Sequence, residues 1–358
     1  MGSYLKYKGL FLFFLMIKSS SNLLFLLTLI RGTLLAISSN SWLGVWIGLE
    51  INLLSFIPLI SDNKNLISTE SSLKYFLTQA IASAVLLLAI LILFIYQNSL
   101  IIIRIFNNYE ALLISSALFL KIGAAPFHFW LPTIIEGLSW TNNLILITWQ
   151  KIAPIVVISY RINYNYFIIV IVLCIIIGSL GGLNQTSLRK IIAFSSINHL
   201  GWILSSLLFN LSLWWNYFII YIFLSIRLVF IFNIFQLFYI NQSFSTNINS
   251  PVIKFIIFTN LLSLGGLPPF LGFIPKWLII QNLINTNNYF LITIILVFTL
   301  ITLFFYIRIT FSAFIFNYST NFWNIKITSF IKYKWILYLF STISIFGLII
   351  ISLIFIIY

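Results

Sequence analysis

The chain has 358 residues, 61% of them hydrophobic and only 7% charged, with a mean hydropathy of +1.12, whereas soluble domains carry roughly a quarter charged residues. That composition excludes a water-soluble globule, and the formal charge of +14 does not signal nucleic acid, because the basic residues are dispersed one or two to a loop instead of forming a stripe. The single cysteine, Cys174, excludes disulfides, zinc sites and iron-sulfur clusters built by this chain alone, and reads as a small buried hydrophobe.

A span of the ~30 Å hydrocarbon core takes about 20 apolar residues. Backbone polar groups in lipid must be satisfied within the segment, so each apolar run reads as a helix. Eleven are predicted: Asn22 to Ser38, Trp42 to Ile60, Ser71 to Tyr96, Glu110 to Gly137, Asn142 to Tyr160, Tyr164 to Gly182, Leu188 to Leu208, Leu213 to Ile240, Val252 to Ile284, Asn288 to Phe316 and Lys334 to Tyr358. Connections such as Ser61 to Asn65 and Asn241 to Ser250 are short and polar and leave no room for a soluble domain. Lys6 and Lys8 before a short apolar run look like a secretory leader, yet no small-residue cleavage site follows.

Two of these helices carry the same break. The fourth contains Pro126, Phe127 and Pro132, and the ninth contains Pro269, Phe270 and Pro275. Proline removes a donor and clashes with the preceding turn, so each helix is expected to open where backbone groups face a cavity. The broken helix is fourth in each successive set of five. Because five is odd, the second set is expected to be inverted relative to the first, an architecture that places transport sites at the breaks. The expected organisation is therefore an all-α polytopic membrane protein: an N-terminal extension (1–21), two inverted five-helix repeats (22–160 and 161–316) and a C-terminal transmembrane helix (317–358). Basic residues gather in the loops on the N-terminal side, from Lys6 to Lys334, whereas the opposite side holds Arg104 and Arg161. The positive-inside rule then puts the N-terminus in the cytoplasm or matrix and the C-terminus on the far side.

Ionisable residues inside these spans are the sharper signal. Glu50 lies mid-helix in the second span, Lys121 just before the Gly-Ala-Ala-Pro break, Lys151 midway along the fifth and Lys276 directly after Pro275. Each costs about 2.5 to 3.5 kcal/mol at a helix centre on insertion scales. In general, desolvation favours the neutral amine while a nearby carboxylate favours the charged form, so a buried lysine beside a glutamate can be switched by moving the glutamate. Arginine stays protonated and cannot serve. The residues read as a proton relay in which Glu50 modulates Lys121 and Lys151 passes the proton toward Lys276, with His128 and His199 able to bridge gaps. The alternative for each charge is a static pair or a side chain reaching to the interface. Lys74, four residues after Glu70, reads equally well as an interfacial i, i+4 pair. Trp42, Trp214 and Trp215 read as an interfacial belt.

The runs SNSWLGVWIGLEINLLSFIPLI (Ser39 to Ile60), SLKYFLTQAIAS (Ser72 to Ser83), LKIGAAPFHFWLP (Leu120 to Pro132), LITWQKIAPI (Leu146 to Ile155), GGLNQTSLRKIIAFSSINHLGW (Gly181 to Trp202) and LLSLGGLPPFLGFIPKW (Leu261 to Trp277) closely resemble the chain 2 family of animal mitochondrial NADH:ubiquinone oxidoreductases, the arthropod members especially. The resemblance runs from about Asn22 to the C-terminus. It implies a core subunit of the membrane arm of respiratory complex I, in the mitochondrial inner membrane with its N-terminus on the matrix side. It also implies proton-transfer roles for Glu50, Lys121, Lys151 and Lys276, and a place for His199 on the connecting hydrophilic axis. By the same resemblance this chain holds no cofactor. Flavin mononucleotide and iron-sulfur clusters are expected on partner subunits, and the partners are other membrane-arm subunits and lipids, cardiolipin among them. A free-standing cation/proton antiporter would use the same lysines and breaks, and an inert scaffold would need none of them.

Two features depart from the family. Animal members are usually rich in methionine, yet this chain has two, and Arg31 and Arg227 sit well inside apolar helices. One expectation covers both: ATA was read as Ile and AGA as Arg where an invertebrate mitochondrion reads Met and Ser, with Arg104 and Arg161 open to the same reading. The resemblance also begins near Met16 or Ile17, so an over-extended start is expected.

Overall fold

The computed structural model describes residues 20–62, 65–97, 103–245, 251–315, 341–345 and 347. Among the described residues the chain is helical, with one isolated antiparallel bridge between Ser187 and Tyr239, and eight helices are long and apolar enough to cross a membrane. Most of the predicted eleventh helix and nearly all of the N-terminal extension lie outside the described residues.

The chain forms two compact units that divide between Val170 and Ile171. The first holds α1 (Ser20–Ser38), α2 (Trp42–Ile60), α3 (Leu66–Gln97), α4 (Ile103–Ile122), α5 (Trp130–Gly137), α6 (Trp140–Ile147), α7 (Trp149–Ser159) and the start of α8 (Tyr164–Gly182). The second holds the rest of α8, then α9 (Leu188–Phe209), α10 (Leu211–Phe235), α11 (Ile240–Ser245), α12 (Pro251–Gly265), α13 (Phe273–Asn285) and α14 (Tyr289–Ile315).

Lipid is as apolar as leucine, so helices in a bilayer associate through close packing at small residues rather than by escaping water. A methyl added at Gly48 of α2 would lie 2.5 Å from the backbone nitrogen of Ala36 on α1, and one added at Gly178 of α8 would lie 2.6 Å from that of Asn198 on α9. Such contacts press α2 against α1 and thereby fix which face of α2 looks into the first unit. Large apolar side chains such as Leu34, Leu54, Leu88 and Leu300 remain exposed at the periphery, as a lipid-facing surface requires.

Both predicted breaks are present, and they are built alike. α4 ends at Gly123, whose φ of 75° is left-handed, and α12 ends at Gly266 with φ 80°. In each the glycine donates back to the carbonyl three residues earlier (Leu120, 3.2 Å; Ser263, 3.1 Å), and the following residue donates to the carbonyl five earlier (Phe119, 3.0 Å; Leu262, 3.4 Å). This pair of bonds is the Schellman stop, which favours glycine because a Cβ is disfavoured at positive φ. The chain then resumes as α5 and α13, with Pro132 and Pro275 each at the third residue, where a helix has no use for an N–H.

Elsewhere the elements depart from the sequence reading. The third helix begins at Leu66 and the fourth at Ile103, both earlier than predicted. The predicted Leu213 to Ile240 helix stops at Phe235, where Gln236 turns left-handed (φ 51°) and its N–H caps the Phe232 carbonyl. The apolar run continues through Ile240, so hydropathy hid this stop. Trp214 is buried, with its ring 6.2 Å from that of Phe218, and is not a belt residue, whereas Trp215 is exposed.

Candidate functional site

In the first unit, α2, α3, α4, α5, α6 and α7 converge on a cavity lined by Leu49, Asn52, Leu53, Tyr75, Gln79, Lys121, Ile122, Trp130, Leu146, Gln150, Lys151 and Pro154. Helical spacing explains the lining. Leu49, Asn52 and Leu53 share one face of α2, and Tyr75 and Gln79 stand one turn apart on α3. About 20 Å³ of the cavity is open to the centres of water molecules, more than the roughly 10–15 Å³ that one water needs.

Lys121 reaches this cavity from the last turn of α4, directly before the Schellman stop. Carbonyls at that stop are met by neutral side-chain donors: Trp130 Nε1 donates to Leu120 O (3.0 Å) and Gln79 Nε2 to Lys121 O (3.3 Å). The Glu50 carboxylate is within electrostatic reach of Lys121, but it is half-buried on the neighbouring face of α2 and makes no direct ion pair with it.

Lys151 is 2% exposed and sits on a weakened stretch of helix. Thr148, between α6 and α7, has φ −109° and ψ −69°, and its hydroxyl donates to Leu144 O at 2.6 Å. Three residues beyond the lysine, Pro154 has no N–H to give the carbonyl of Gln150. The sequence reading treated Asn142 to Tyr160 as one unbroken helix. The break at Thr148 escapes it, because neither glycine nor proline marks the position.

In the second unit Lys276 is 6% exposed. Its ammonium donates to Gly265 O at 2.8 Å and to Leu264 O at 3.4 Å, the last carbonyls of α12. The negative end of that half-helix favours a cation there. The same ammonium lies 5.8 Å from the centre of the Trp202 ring, within cation–π range. The first break thus meets its carbonyls with an indole and an amide, and the second with a lysine.

His199, buried mid-way along α9, places Nδ1 2.8 Å from the Tyr217 hydroxyl, with the Tyr221 ring 5.0 Å away. The Tyr217 ring lies parallel to Trp202 at 6.4 Å. Lys276 and His199 therefore belong to one cluster, linked through the Trp202 and Tyr217 rings. Ser195 and Ser196 donate to carbonyls of their own helix, Ile192 and Ala193. Tyr306 and Tyr221 lie beside them.

The sequence pattern of the NADH:quinone oxidoreductase/Mrp antiporter transmembrane family matches residues 39–302. NADH-ubiquinone oxidoreductase chain 2 of Anopheles gambiae is 58% identical over 342 residues, covering 95% of this chain and 99% of that protein. The chain belongs to the NADH-ubiquinone oxidoreductase chain 2 family. The fold of this chain 2 member is shared with a chain of respiratory complex I from Thermus thermophilus with bound aureothin (TM-score 0.81, 21% identity, 94% of this chain and 81% of that one). It is shared also with a chain of the Mrp complex from Dietzia sp. DQ12-45-1b (TM-score 0.70, 20% identity, 80% and 59%).

Of the candidate residues in this chain 2 protein, Lys121 and Lys151 share a cavity with Glu50 close by, and Lys276 and His199 share a cluster. His128 stands apart from both: it is buried in the first break, pairs Nδ1 with Pro126 O at 3.1 Å and has its ring tilted against that of Phe129 with centroids 4.2 Å apart, and it is not among the cavity residues. A carbonyl only accepts, so this contact places the proton on Nδ1. The sequence reading missed Asn52, Gln79, Gln150, Trp202, Tyr217, Tyr221 and Tyr306. Lys74 and Glu70 pair at 2.7 Å on an exposed surface. Arg161 pairs with the buried Glu110 at 3.8 Å. Arg227 is 1% exposed, and none of its three guanidinium nitrogens has a hydrogen-bond partner among the described residues.

Proposed function

We propose that this chain is a core membrane-arm subunit of a proton-pumping NADH:ubiquinone oxidoreductase, complex I, and that it moves protons while carrying no electrons. The observation that supports this reading best is the meeting of two buried amines, Lys121 and Lys151, on one water-sized cavity beside a helix break. A lysine amine in such a place can hold a proton in one arrangement and release it in another, as neighbouring charge and hydration change. Glu50 is the neighbour that biases Lys121, Lys151 receives the proton, and Lys276 holds it at the end of α12. His199 lies on the same route and His128 supports the first break. Each charge moved against the membrane potential costs about 2.3 kcal/mol per 100 mV, so the work comes from redox chemistry elsewhere in the complex.

In this reading flavin mononucleotide and iron-sulfur clusters are held by partner subunits. The chain lies in the mitochondrial inner membrane as two inverted five-helix repeats with its N-terminus on the matrix side, where its basic loops attract anionic lipid such as cardiolipin. The likeness to the Mrp complex chain keeps a free-standing cation/proton antiporter as the second reading. It is discriminated by purification, since an antiporter exchanges sodium or potassium without partners.

The test is the assembled complex carrying Lys121→Met or Lys151→Met in sealed vesicles, with proton uptake measured per NADH oxidised. Both variants are expected to lose most of the pumping. Wild-type proton stoichiometry in both would refute the reading.

A further inference from the structure

Two residues that line the first unit's cavity carry amide atoms with no hydrogen-bond partner among the described residues. Asn52, on α2, is 3% exposed and its Oδ1 accepts no hydrogen bond, and on α7 the buried Nε2 of Gln150 donates none. Buried polar atoms are rarely left so, and an orphan marks a position for water or an ion. One orphan is an acceptor and the other a donor, and both belong to the lining that also holds Lys121 and Lys151. A metal cation there would stand against the Lys121 ammonium, and an anion would leave the Asn52 oxygen unsatisfied. Water both donates and accepts, and the cavity has room for it.

We infer that Asn52 and Gln150 hold a bridging water between Lys121 and Lys151, and so act as positioning residues for proton passage through the first unit. The inference rests on the proton-pumping reading above. Water has four bonds to make, and the cavity presents four groups. Gln150 Nε2 and the Lys121 ammonium donate to its oxygen, and its two O–H groups are donated to Asn52 Oδ1 and to the neutral Lys151 amine. In the transfer, the N–H bond of Lys121 breaks as the water oxygen gains that proton. The O–H bond facing Lys151 breaks as Lys151 Nζ gains the other. Water is regenerated, and the charge has moved from one amine to the other. Fixing two of the four bonds with uncharged amides keeps the water in line without adding a charge that would trap the proton.

The experiment uses the assembled complex carrying Asn52→Leu or Gln150→Leu, which remove the amide at similar volume, and Asn52→Ser, which restores an oxygen. Proton uptake per NADH and its solvent deuterium isotope effect are measured beside Lys121→Met. The leucine variants are expected to slow pumping about tenfold, the rate equivalent of one hydrogen bond, with a raised isotope effect, and Asn52→Ser to recover most of the rate. Wild-type pumping and isotope effect in both leucine variants, with Lys121→Met still inactive, would overturn the bridging water and leave the lysine relay standing. Normal pumping in Lys121→Met would sink the relay itself. If the leucine variants do not assemble, a high-resolution map of the wild-type complex decides. Ordered water within about 3.2 Å of both amide atoms supports the inference, and a dry or halide-filled cavity overturns it.

Discussion

Lys276→Arg separates a proton carrier from a static helix cap. The lysine ammonium satisfies the carbonyls of Gly265 (2.8 Å) and Leu264 (3.4 Å) and lies 5.8 Å from the Trp202 ring centre. A guanidinium can make the same contacts, since it carries five donors and stacks on aromatic faces, so α12 keeps its cap and the complex should assemble. What changes is the ability to let the proton go. An arginine holds its proton more tightly than a lysine, by roughly 2 to 3 pKa units at about 1.36 kcal/mol each. Release from arginine is therefore costlier by roughly 3 to 5 kcal/mol, which slows a step that depends on it by about a hundredfold to a thousandfold. The assay is proton uptake by sealed vesicles, normalised to complex content and to NADH oxidation by the detached electron-input module. Normal assembly with pumping reduced at least a hundredfold is expected. Wild-type pumping in Lys276→Arg would show that the residue serves only as a cap and would refute the reasoning.

Three more outcomes follow from the same geometry. Gly266→Ala places a Cβ 2.9 Å from the Lys276 amine at a residue with φ 80°. The left-handed conformation alone costs about 1–2 kcal/mol, so a lower melting temperature of the complex and slower pumping are expected, and unchanged values would contradict the contact. Arg227→Ser removes a buried guanidinium with no hydrogen-bond partner among the described residues, a burden on the order of several kcal/mol. The new hydroxyl can bond its own helix as Ser225 does to Ile222 O at 2.9 Å, so higher thermal stability is expected, measured by the melting of the assembled complex. If serine is the native residue there, the intact mass of the protein departs from 41.4 kDa, and agreement with that mass would reject the altered codon reading.

The breaks were legible because their chemistry is local. A glycine that can turn left-handed, a proline three residues later and a second proline in the next first turn are each readable from the chain, as are lysines that lipid would not tolerate idly. The interruption at Thr148 was not, because the Thr148 N–H and hydroxyl both bond the Leu144 carbonyl and no glycine or proline stands at the turn to mark it. Nor was the end of α10 at Gln236, where apolar residues continue past the turn. The cavity itself is tertiary. Asn52 and Gln150 are ordinary polar residues until α2 and α7 are brought together, and the tyrosines of α10 and α14 look like any aromatic in a membrane helix until His199, Ser195 and Ser196 face them.

The central claim is that buried amines at the helix breaks change partners as they gain and lose protons. High-resolution maps of the assembled complex, at rest and trapped during turnover, test it at Lys276. The account predicts a state in which its amine has left Gly265 O and water stands beside it. An amine held at 2.8 Å from that carbonyl, with no water adjacent in any state, would contradict it.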